Sequence, residues 1–129
     1  MNSGAMAAYR STQTHSGIEG ASPHKLITLL LDGALERSSK AKGHMVRGER
    51  GPQGELIGRV IDIVASLDAY LDMEAGGEIA ANLQSLYDYM VQKLFDANRH
   101  SDTNELAEVE HLLLEIKDGW IGIADDASK

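Results

Sequence analysis

Residues 55–73 read ELIGRVIDIVASLDAYLDM, and this stretch decides the fold. Leu56, Val60, Ile63, Leu67 and Leu71 recur at three- and four-residue spacing, the signature of one face of an α-helix. Ile57, Ile61 and Val64 widen that face on one side. At about 100° per residue these positions cover about half of the cylinder, more than a helix packed on one neighbour needs. Two explanations stand side by side. The helix occupies the middle of a bundle and touches two neighbours, or Ile57, Ile61 and Val64 line a groove that takes a partner segment.

The same periodicity extends outward in both directions. Toward the N-terminus, Ser22-Pro23 opens a first helix: a hydroxyl to cap free N–H groups, then a residue with no N–H to leave unpaired. Leu26, Leu29, Leu30, Ala34, Ala41 and Met45 form its stripe, and Gly48 with Gly51-Pro52-Gln53-Gly54 stops it. The second helix then runs from about Glu55 to Met73, where Gly76-Gly77 ends it. A third helix follows from about Glu78 to Asn98, with Ile79, Leu83, Leu86, Met90 and Leu94 flanked by Tyr87, Val91 and Phe95. Asp102, with Glu105 three positions on, reads as a capping box for a fourth helix. Its apolar face holds Leu106, Val109, Leu112, Leu113, Ile116 and Trp120.

Four helices joined by short connections imply antiparallel neighbours. The expected fold is therefore all-α: an antiparallel up-and-down four-helix bundle over residues 22–123. A mobile N-terminal arm with room for a short extra helix precedes it (residues 1–21), and a frayed tail follows (residues 124–129). The arm is rich in Ser, Gly, Thr and Ala and lacks a sustained period.

Composition narrows the function. No cysteine is present, which removes thiolate metal sites and Cys nucleophiles and fits a reducing compartment. The formal charge of −8 repels phosphate backbones, so no nucleic-acid partner is expected. Neither a membrane-spanning run nor a secretory signal is evident, and the cytoplasm is the default location. A di-iron bundle needs two inward Glu-x-x-His copies. Glu108-Val109-Glu110-His111 supplies one, lying off the apolar stripe, so no metal or other cofactor is expected. There is no Gly-x-Ser-x-Gly elbow and no phosphate-cradling loop, and no enzyme is expected. Arg37, Lys40, Lys42, Arg47 and Arg50 form a local basic run, better read as a solvated face offsetting a helix dipole than as a docking site. The candidate binding residues are then Ile57, Ile61, Val64, Tyr87 and Val91, with Met6 and Tyr9 of the arm able to dock on the same surface. A self-associating structural bundle is the competing reading of that surface.

Several letter patterns carry more than periodicity does. Ser22-Pro23-His24-Lys25-Leu26-Ile27, leading to Leu31-Asp32-Gly33-Ala34, resembles the first-helix signature of the flagellar export chaperone family FliS. So do Leu71-Asp72-Met73-Glu74-Ala75-Gly76-Gly77-Glu78-Ile79-Ala80, then Asn82-Leu83 and Leu86-Tyr87-Asp88-Tyr89-Met90. Ala97-Asn98, Glu108-Val109-Glu110 and Trp120 continue the match in order and spacing. The resemblance implies a cytoplasmic, non-enzymatic chaperone that holds the disordered C-terminal segment of flagellin, prevents premature polymerisation and delivers it to the type III export gate. It also implies roles for Met6 and Tyr9 in contacts with flagellin and with the export-gate protein. An anti-sigma factor or a co-chaperone is a further partner that some members of such a family engage.

Overall fold

The computed structural model of the chain describes the backbone of residues 22–127 and the side chains of residues 22–122. Among the described residues there are four helices and no strand: α1 (Pro23–Val46), α2 (Arg50–Ala69), α3 (Met73–His100) and α4 (Thr103–Ala127). α1 packs on α2, α2 on α3, α3 on α4, and α4 back on α1, closing an antiparallel four-helix bundle. α4 continues into the stretch read as the tail.

The helix ends follow from local chemistry. Ser22 Oγ accepts the Lys25 N–H at 3.1 Å, and Pro23 occupies the first turn. Asp72 Oδ1 accepts the Ala75 N–H at 2.9 Å to start α3. Asp102 Oδ1 accepts the N–H groups of Asn104 (2.8 Å) and Glu105 (3.3 Å) to start α4. The capping box at that end is only half closed. The Asp102 N–H already donates to Ala97 O, so the Glu105 carboxylate turns to His100 Nδ1 at 2.9 Å instead.

Two boundaries differ from the sequence reading. α2 begins at Arg50, so Gly51-Pro52-Gln53-Gly54 forms its first turn rather than a break. Proline lacks only a donor that the first turn leaves unpaired anyway. Gln53 repays the glycines beside it. Its buried amide donates to Asn98 O (3.2 Å) and Asn98 Oδ1 (2.9 Å), tying α2 to the end of α3. At the far end, the chain leaves α2 at Tyr70 and re-enters helix at Met73. The glycine pair is therefore not the end of α2. It is a kink inside α3, where Gly77 takes φ 54°, ψ −127°.

The core is aliphatic and continuous. Leu31, Ala34 and Ala41 of α1 meet Val60 and Leu67 of α2, Met90 and Leu94 of α3, and Leu106 and Leu113 of α4, all fully buried. In α1 the buried phase also includes Ile27, Ser38 and Met45. Leu29, expected in the stripe, is 54% exposed. The run Leu26–Leu31 is apolar at five of its six positions and fixes no phase by itself; the small residues Ala34, Ser38 and Ala41 do. Ile79 is likewise exposed, because the kink at Gly77 resets the phase of α3.

Candidate functional site

The broad face of α2 has a plain explanation: both flanks are occupied. Ile63 faces α1, its Cδ1 within 3.6 Å of where a Cβ on Gly33 would lie. Gln53 and Arg50 face α3, Arg50 donating to Ser101 Oγ at 2.7 Å. Three predicted binding residues are consequently core. Ile57 is 1% exposed, Val64 0% and Tyr87 1%, and none presents its side chain to a partner. As a groove lining, that part of the expectation is corrected: two neighbouring helices consume the whole stripe. Ile61 and Val91 stand differently. They are partly buried at the rim of the core. Met6 and Tyr9 lie outside the described residues.

Helical geometry places Ile61 and Val91 on the outer side of one seam. Taking Val60 and Met90 as the inward directions, Ile61 and Val91 each lie about 100° round, toward the opposing helix. Phe95, about 40° further out on α3, is 56% exposed. Opposite it α2 carries Gly54 and Gly58. A Cβ at Gly58 would meet nothing within 4 Å, and one at Gly54 would meet only the Asn98 side chain, at 3.7 Å. The result is a shallow α2–α3 groove with a low glycine wall and an exposed aromatic ring. Sequence reading had noted Phe95 only as a flank of the core stripe. Its distance from the Met90–Leu94 direction was the signal that it faces outward.

A second apolar surface lies on the opposite seam, between α1 and α4. Leu29 and Ile121, with His24, Lys25, Thr28 and Asp32, line an open depression of about 410 Å³. Leu114, one heptad before Ile121 on α4, is also exposed. Sequence reading missed Leu114 and Ile121; their seven-residue spacing beside, rather than within, the Val109–Leu113–Trp120 stripe was the available signal. This seam is strongly pinned. Trp120 Nε1 donates to His24 O at 3.0 Å, and His24 Nε2 donates in return to Trp120 O at 2.9 Å. The two rings stack with centroids 4.9 Å apart and planes 10° from parallel. Lys42–Glu110 (2.7 Å) and Lys117–Asp32 (2.6 Å) close the rest.

The remaining polar groups are used internally. In the basic run, Arg37 donates to Gly33 O, Lys40 pairs with Glu36, and Arg47 pairs with Glu49. Hydrogen bonds from His44, then Arg47, hold the Glu49 carboxyl below its ordinary range. Glu108, Glu110 and His111 diverge to Tyr89, Lys42 and Glu115 and share no common centre. Tyr89 Oη donates to Glu108 Oε2 at 2.5 Å, and that bond pushes the phenol above its usual range. Among the described residues no group of three or more potential ligands could hold a metal, and no helix is long and apolar enough to cross a membrane.

Known proteins give this arrangement a context. The family model described as flagellar protein FliS matches residues 5–127. The flagellar secretion chaperone FliSB of Pseudomonas aeruginosa is 46% identical over 120 residues, covering 93% of this chain and 95% of its own length. The flagellar secretion chaperones FliS of Salmonella typhimurium (41% identical; 94% and 90% covered) and Vibrio cholerae (40%; 91% and 86%) are also similar. These relatives are named for chaperone activity, and a bundle with two apolar surfaces and no assembled reactive centre among its described residues suits that work. The chain belongs to the FliS family of flagellar secretion chaperones, which is not a family of enzymes.

Proposed function

We propose that the chain is a cytoplasmic export chaperone whose client is the disordered C-terminal segment of flagellin, which it keeps from polymerising prematurely and delivers to the flagellar export gate. The observation that carries this reading is the α2–α3 groove, where Phe95 stands 56% exposed beside Ile61 and Val91 over a glycine wall. An unpaired aromatic ring beside a trough is what an amphipathic client helix covers as it folds on binding. The opposite seam, with Leu29, Leu114 and Ile121, offers a second foothold to the same segment. Met6 and Tyr9 are proposed contacts of the arm with flagellin and with the gate protein, on the family resemblance.

Calorimetry with the C-terminal flagellin segment tests the proposal. The unaltered chain is expected to bind it one to one. Phe95→Asp is expected to weaken binding by tenfold or more, on the order of 1.4 kcal/mol, with the far-ultraviolet circular dichroism unchanged because the ring is largely outside the core. Normal binding by that variant would remove the α2–α3 groove from the site. A stable dimer indifferent to flagellin would favour self-association instead.

A further inference from the structure

Among the described residues every lysine but one holds a carboxylate. Lys40 pairs with Glu36, Lys42 with Glu110, Lys93 with Glu105 and Glu108, and Lys117 with Asp32. Lys25 has no such partner among them, although acids outnumber bases 20 to 12 in the chain. It is exposed, and it stands at the rim of the α1–α4 depression, whose apolar lining is Leu29 and Ile121. The other polar side chains around that depression already have partners. Lys117 neutralises Asp32 at 2.6 Å, His24 Nε2 donates to Trp120 O at 2.9 Å, and Thr28 Oγ1 donates to His24 O at 3.0 Å. What stays open is one cation beside a small apolar hollow.

Size restricts what that hollow can take. At about 410 Å³ it lies near the low end of pockets that hold small ligands. A client helix, about 10–12 Å across, passes over such a depression and not into it. The last residue or two of a chain fit inside. A chain end also carries a full negative charge beside its final side chain, the complement of an unpaired ammonium over an apolar floor.

We infer that the α1–α4 depression takes the C-terminal residue of the client, with an apolar side chain against Leu29 and Ile121 and the terminal α-carboxylate on Lys25. The inference rests on the client reading above and gives the segment a direction. Its end lies on the α1–α4 seam, and the residues before it run toward the α2–α3 groove. An acidic side chain offers the same charge, but from within a segment that must then continue past the hollow.

The test is calorimetry of the full chain with the flagellin C-terminal segment as free acid and as C-terminal amide, at about 0.05 M salt, where a rim charge is weakly screened. The unaltered chain is expected to bind the amide about fivefold more weakly than the acid. Lys25→Gln is expected to bind both forms alike, at the level of the amide. Lys40→Gln removes an exposed cation from the same helix and is expected to keep the difference. Equal binding of acid and amide by the unaltered chain would overturn the inference, as would a difference that survives Lys25→Gln. An equal loss for both forms in Lys25→Gln would assign the lysine to an acidic side chain and overturn the terminal carboxylate. Failure of the unaltered chain to bind either form would instead overturn the client reading itself.

Discussion

At Asp68, burial first and the neighbouring Asp88 second hold the carboxyl above its ordinary value of 3.8. The folded state therefore binds this proton more tightly than the unfolded chain does. Stability falls as pH rises from the ordinary value through the raised one, and the penalty persists at neutral pH. Asp68→Asn removes it, and urea denaturation at pH 7 is expected to show a gain of about 1 kcal/mol. That gain should shrink as the pH falls through the raised value and be gone below about 4, where the carboxyl is protonated in both states. Gly77 is constrained by backbone alone. A Cβ there meets nothing within 4 Å, yet φ 54°, ψ −127° is open essentially to glycine. Gly77→Ala is expected to cost about 1–3 kcal/mol in the same measurement.

At the scale of the elements, the joints between helix ends carry specific polar work. Gln53→Ala would leave the Asn98 acceptors without their buried donor and is expected to cost about 1–3 kcal/mol. The four helices themselves were legible from their stripes, because Val60, Leu67, Met90, Leu94, Val109 and Leu113 repeat at the period that burial demands. Their ends were less so. Gly-Pro-Gln-Gly is read as a break unless one knows that Gln53 finds Asn98 forty-five residues away, a contact no local pattern contains. The candidate residues separate only in the structure. Ile61 and Val91 lie at the rim of one seam, whereas Ile57, Val64 and Tyr87, which the apolar pattern alone leaves open between core and groove, are enclosed by two packed neighbours. Periodicity gives the width of an apolar face but not how many helices share it.

For the whole molecule, the decisive property is that its two apolar surfaces lie on opposite seams, α2–α3 and α4–α1, of a ring in which every helix touches two others. On the proposed reading, one client chain must reach round the bundle to use both, and its second contact is made at high effective concentration. Cutting that segment into halves, one for each surface, is expected to weaken each half by about 100-fold or more relative to the intact segment, as titration calorimetry would read it. The reciprocal His24–Trp120 contact, finally, involves the chain's one tryptophan. An indole only 4% exposed emits at shorter wavelength than one in water. The protein thus carries a built-in lamp, whose colour is expected to redden once the first and last helices part and water reaches the ring. Stopped-flow fluorescence could time that parting without any attached dye.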